Sequence, residues 1–150
     1  MAVDFATFLN VAPHILNSRL PVLIRGRHGV GKSEVVYMIA EQRGMPVVER
    51  RASQMTEGDL LGLPDTADTA INGRKCTTWN APDWLVTACE QPVVLFLDEV
   101  DRATMEVRQG LFELTDSRKI NGWHLHPDTL IIAAVNGGEH GAQYQVGEMD

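Results

Sequence analysis

The sequence predicts an α/β fold, with a mainly parallel sheet covered by helices. Three observations predict it. Short apolar runs alternate with stretches of helical spacing along the chain. The runs at 92–97 (PVVLFL) and 130–135 (LIIAAV) are apolar throughout, as strands covered on both faces must be. The run at 20–25 (LPVLIR) ends in a glycine-rich turn that opens directly onto helix-favouring residues. The 150 residues suit one domain, and a chain of that size hides roughly 70% of its unfolded surface.

Each element follows from local signals. Phe5, Phe8, Leu9, Ala12, Ile15 and Leu16 recur at helical spacing, so residues 4–18 read as one or two short helices bent near Pro13. A strand at 20–25 leads into a helix over 31–43, with Val35, Val36, Ile39 and Ala40 inward and Gly44 as its stop. Residues 46–50 (PVVER) form a second strand, whereas 58–63 (GDLLGL) before Pro64 has no regular period. Asn72-Gly73 between strand-suited residues of 65–79 signals a hairpin. A helix over 82–91 starts at a proline and turns Trp84, Leu85 and Ala88 inward. After the strand at 92–97, an amphipathic helix over 103–118 buries Val107, Leu111, Phe112 and Leu114. Asn121-Gly122 within 119–126 signals a second hairpin, and 129–135 is a further strand. Residues 137–150 carry no period.

Composition narrows the function classes. Hydrophobic residues make up 44% and charged residues 22%, as in globular domains. The net charge of −7 is uneven. Residues 1–75 hold nine Lys/Arg against eight Asp/Glu, and residues 76–150 hold four against twelve. No basic run offers an electrostatic footprint for nucleic acid, so direct binding of DNA or RNA is not expected. Neither apolar run approaches the ~20 residues of a membrane helix, so no membrane partner is expected. The N-terminus lacks the basic-then-apolar order of a secretory signal. Cys76 and Cys89 are too few for a disulfide framework and read as reduced thiols, which points to a cytoplasmic protein.

The chemistry concentrates in Gly26-Arg27-His28-Gly29-Val30-Gly31-Lys32-Ser33, a full match to G-x-x-x-x-G-K-[ST] between a strand and a helix. The glycines let backbone N–H groups converge on phosphate oxygens. The helix beginning after Gly31 adds its positive end. Lys32 reaches the β- and γ-phosphates, and the Ser33 hydroxyl ligates Mg²⁺. The companion carboxylates, Asp98 and Glu99, end the buried run 93–97. Asp98 is placed to hold Mg²⁺, through water or beside Ser33, and Glu99 to activate the attacking water. Asn136, at the end of 130–135, is a neutral amide able to bond that water or the γ-phosphate without competing for metal. His124 and His126 share a strand face but lack a third ligand, so an exposed hairpin is the simpler reading. Trp79, Trp84 and Trp123 read as core or rim packing, and Arg102 and Arg108 as interface arginines or a solvated helix face.

Together, GRHGVGKS, GDLLGLP, LFLDEVDRATMEVRQGLFELTDSRKI and LIIAAVN resemble the AAA+ ATPases, within them the MoxR-like and dynein-related branch. The resemblance implies a P-loop NTPase of three αβα layers with strand order 5-1-4-3-2. It implies ATP bound with Mg²⁺ between neighbouring copies of a homo-oligomeric ring, usually a hexamer, with work done on a protein client. It gives residues 26–33 the Walker A role, Asp98 and Glu99 the Walker B role, and Asn136 the sensor 1 role. Both hairpins look like this branch's insertions, which face the pore or the substrate. By the same resemblance the chain stops before the arginine finger, the last strand and the helical lid. The 150 residues then read as one incomplete core, with a helical segment at 1–19 and the P-loop core at 20–150. A non-hydrolysing nucleotide-binding interaction module is the alternative reading. A P-loop kinase or GTPase is disfavoured, since no N-K-x-D motif occurs and a Glu follows the Walker B Asp.

Overall fold

The computed structural model describes residues 2–3, 14–15, 17–26, 31–136 and 143–146. In chain order the strands are β1 (Ala2–Val3), β2 (Val22–Arg25), β3 (Val47–Arg51), β4 (Leu63–Ile71), β5 (Arg74–Asn80), β6 (Val94–Asp98), β7 (Lys119–Ile120), β8 (Trp123–His124), β9 (Leu130–Val135) and β10 (Gln143–Val146). The helices are α1 (Lys32–Arg43), α2 (Glu57–Leu61), α3 (Asp83–Glu90) and α4 (Met105–Ser117). The predicted helices at 4–18 fall mostly outside the described residues.

The central sheet runs β1-β10-β2-β9-β6-β3. Strands β2, β9, β6 and β3 are parallel, with Ile24 beside Ala134, Phe96 beside Ile132, and Val48 beside Leu95. Numbered among themselves these four strands follow 1-4-3-2, the order the resemblance implies. The edge beyond β2 differs from expectation. Instead of a missing last strand it carries β10, which pairs antiparallel with β2 and with β1. Only residues 136–142 separate β9 from β10, and a parallel crossover needs a dozen or more. The chain can therefore return only in the opposite direction.

Alternation along each strand divides the core. Leu23, Leu95, Leu97, Ile131 and Ala133 pack with Trp84, Leu85 and Ala88 of α3 and Val107, Leu111 and Leu114 of α4. On the other side Val22, Ile24, Val94, Phe96, Ile132 and Ala134 pack with Val35, Val36, Ile39 and Ala40 of α1. Two buried faces explain why β6 and β9 need to be apolar at every position. Phe112, expected inward, is half-buried at the rim of α4.

Turn chemistry is as the sequence signals. Gly44 stops α1 at φ 65°, left-handed backbone that glycine adopts without strain. Asn72-Gly73 closes β4–β5 and Asn121-Gly122 closes β7–β8, with all four residues at positive φ, the type I′ requirement. The irregular middle contains an element that periodicity misses. The Thr56 hydroxyl accepts from the Asp59 N–H at 3.3 Å, and the Asp59 carboxylate accepts from the Thr56 N–H at 2.9 Å. This reciprocal cap starts α2, whose five residues are too short to show a period. Among the described residues no helix is long and apolar enough to cross a membrane.

Candidate functional site

The carboxyl ends of the parallel strands bring together residues far apart in sequence, where open α/β sheets bind ligands. Arg25 ends β2 beside Val135, which ends β9. The Gly26 N–H extends this contact, donating to the Val135 carbonyl at 3.2 Å. Asp98 ends β6 beside Arg51, which ends β3.

Of the phosphate-loop motif, Gly26 and Gly31 to Ser33 are described; Arg27, His28, Gly29 and Val30 lie outside the described residues. Gly31 precedes α1 in left-handed backbone, φ 80°. Lys32, the first residue of α1, is only 8% exposed. Its Nζ donates to the Gly26 carbonyl at 3.1 Å and to the Val135 carbonyl at 3.3 Å. A buried cation thus sits against two partial negative charges at the mouth of the loop, beside the positive end of a helix. Ser33 is the second residue of the same helix.

Asp98 continues the face of Val94 and Phe96, so it lies on the side of the sheet that α1 covers. Its Oδ1 accepts from the Glu99 N–H at 2.8 Å. A hydroxyl at Ser33 and a carboxylate at Asp98 are hard oxygen donors, which fits Mg²⁺ held by one or two protein groups and by phosphates. Glu99 itself adopts left-handed backbone at φ 54°, uncommon for a residue with a Cβ. Its side chain is 18% exposed, accepts a hydrogen bond from the Ser53 hydroxyl, and lies 3.9 Å from Arg51 Nε. Neither Ser53 nor Arg51 carries a motif signal. Both become legible only once β3 is known to adjoin β6.

Asn136 follows β9 between the ends of β2 and β6, and its backbone N–H donates to Asp101 Oδ1 at 3.3 Å. Of the two arginines weighed as interface residues, Arg102 is exposed, whereas Arg108 is turned inward. Its Nη2 donates to the carbonyls of Asp101 at 2.7 Å and Ala103 at 3.2 Å. His124 is exposed, and the His126 ring accepts from the Asp128 N–H at 3.0 Å. Among the described residues no His, Cys, Asp and Glu group could hold a metal ion by itself. Trp84 is buried and donates to the Asp59 carbonyl at 2.7 Å, whereas Trp79, expected to pack, is 50% exposed on β5.

A parallel 1-4-3-2 sheet with helices on both faces, a lysine opening the helix after the first strand, and an acidic pair ending the third defines the AAA+ arrangement of P-loop NTPases. The family pattern of the AAA domain (dynein-related subfamily) matches residues 21–144, and the chain belongs to that family, with the MoxR-like AAA+ ATPases. It is similar to protein CbbQ of Hydrogenophilus thermoluteolus, 29% identical over 133 residues, which cover 83% of this chain and 47% of that protein. It is also similar to midasin of Giardia intestinalis, 35% identical over 105 residues, or 69% of this chain and 2% of midasin. The chain therefore spans about half of CbbQ and a small part of midasin. The fold resembles that of the RuvB Holliday junction branch migration motor of Thermotoga maritima, with a TM-score of 0.57 at 16% identity over 89% of this chain and 39% of that one.

Proposed function

We propose that the chain binds ATP with Mg²⁺ and hydrolyses it when assembled in a ring of like copies, doing work on a protein partner. The observation that carries this reading is the convergence of Lys32, Asp98, Glu99 and Asn136 at one end of the sheet. Lys32 holds the β- and γ-phosphates as a buried point charge, and the first-turn N–H groups of α1 add further donors. Ser33 and Asp98 hold the Mg²⁺, which when bound neutralises charge on the phosphate oxygens. Glu99 takes the proton from the attacking water, and Asn136 orients that water or the γ-phosphate. Membership of the AAA domain (dynein-related subfamily) family supports the nucleotide part of the reading. The ring and the protein client rest on the family resemblance, and the β4–β5 hairpin, with Leu63 66% and Trp79 50% exposed, offers apolar surface to such a partner.

The test is binding of a fluorescent ATP analogue and phosphate release by the 150-residue chain, alone and after sedimentation has defined its assembly with ATP. Magnesium-dependent ATP binding is the expected result, with phosphate release confined to the assembled form. No nucleotide binding would overturn the reading. Binding without phosphate release in an assembled ring would favour the interaction module.

A further inference from the structure

We propose that Asp101 is a positioning residue, one that fixes Asn136 relative to Glu99 through the backbone of the turn after β6. The inference deepens the ATPase reading above and rests on it.

Strand β9 is internal to the sheet, and its ladders run out at its end. The pairing with β6 stops at Leu97 beside Ala133, and that with β2 at Arg25 beside Val135. The Asn136 N–H is the next amide along, beyond the last residue pair of either ladder. Asp101 Oδ1 accepts from it at 3.3 Å. The Asp101 bond therefore ties the end of β9 to the turn that follows β6.

Asp101 can serve as an anchor because its own turn is fixed from several sides. Val100 is 1% exposed, packed in the core beneath α3 and α4. The Arg102 N–H donates to the Glu99 carbonyl at 3.0 Å, closing the turn on Glu99 itself. From α4, Arg108 reaches back to the carbonyls of Asp101 and Ala103, and its buried Nε makes no hydrogen bond in doing so. Thr104 caps the same helix by accepting from the Val107 N–H at 3.4 Å. One short turn thus carries the proposed base at its start and holds the proposed sensor at its middle. In the proposed hydrolysis Glu99 acts on the attacking water and Asn136 on that water or the γ-phosphate, and small misplacements there are costly.

A plain structural cap would satisfy the same amide, so the test needs a readout that capping alone does not move. The variants are Asp101→Ala, which removes the acceptor, and Asp101→Asn, whose amide oxygen still accepts. In ¹⁵N-labelled full chain, Asp101→Ala is expected to speed exchange of the Asn136 backbone amide at least about tenfold. Affinity for fluorescent ATP with Mg²⁺ should stay within about twofold, because Lys32 and α1 are untouched. The shift of the Asn136 side-chain NH₂ resonance on adding ATP and Mg²⁺ should vanish in Asp101→Ala and survive in Asp101→Asn. A protected Asn136 amide in Asp101→Ala overturns the proposal. So does a surviving NH₂ response in Asp101→Ala, an affinity that falls with it, or an Asp101→Asn variant that behaves like alanine. A parent chain that binds no fluorescent ATP removes the functional reading instead, while amide exchange still decides whether Asp101 holds Asn136.

Discussion

The Lys32 ammonium donates to the carbonyl of Val135 at 3.3 Å, across 103 residues of sequence. The first residue of the first core helix is thereby tied to the end of the last parallel strand. The same carbonyl accepts from the Gly26 N–H, so the root of the phosphate loop and its lysine share one acceptor. Replacing the lysine removes the only side-chain cation buried among the described residues at this edge. Lys32→Ala is expected to weaken binding of fluorescent ATP at least about tenfold, the scale of one lost charge-assisted hydrogen bond. Parent-like affinity in that variant would rule out the assigned role.

Glu99 is bonded by the Ser53 hydroxyl and approached by Arg51, and glutamine at this position keeps an oxygen for both. Glu99→Gln should therefore fold and bind ATP as the parent does, while losing the proton acceptor. Phosphate release by the assembled protein is expected to fall by about 10²–10⁴-fold, the usual contribution of a general base. Turnover that survives intact in Glu99→Gln sinks the mechanism.

Asp59 gives a pH dependence with a definite sign. The Thr56 backbone N–H bonded to its carboxylate, opposed by slight desolvation, holds it below the usual carboxylate range. A carboxyl whose folded pKa is depressed stabilises the fold above its unfolded value of about 3.9 and loses that contribution as pH falls through the folded value. Asp59→Ala should cost about 1 kcal/mol at neutral pH, the scale of one helix cap. In urea unfolding, the gap between parent and variant should hold down to about pH 5 and narrow in stronger acid. A gap that widens in acid contradicts the assignment.

Gly62 ends α2 at φ 89°, and a Cβ added there would lie 2.0 Å from the Asn80 carbonyl oxygen. Asn80 pairs with Leu63 at the base of the β4–β5 hairpin, so the obstruction is backbone against backbone. Gly62→Ala combines left-handed strain with overpacking and is expected to cost at least about 3 kcal/mol in chemical denaturation. A variant within about 1 kcal/mol of the parent would show that the hairpin base yields easily.

Much of this molecule is legible from local chemistry. The G-x-x-x-x-G-K-[ST] match needs only residues 26–33 and the apolar run before it. Both Asn-Gly hairpins are legible because type I′ turns demand positive φ at adjacent positions, which few residue pairs tolerate. The helix α2 is less so: its Thr56/Asp59 cap is visible in sequence, but five residues cannot display a period. The last strand escapes local reading as well. Gln143–Val146 alternates polar with apolar residues over four positions only, too short a run to declare a strand by itself, and it pairs with β2 and β1.

Residue type and spacing along the chain define the kind of site: a lysine after a glycine loop, an acidic pair after a buried strand, an amide after another. These depend on neighbours along the chain, where spacing and residue type suffice. Which of them meet, and what restrains them, follows from how the chain packs. Lys32 finds Val135, Glu99 finds Ser53, and Asn136 finds Asp101. The reason is geometric. Strand order and register are set by packing apolar faces over the whole sheet, so contacts at the strand ends are consequences of the fold and carry no local signature.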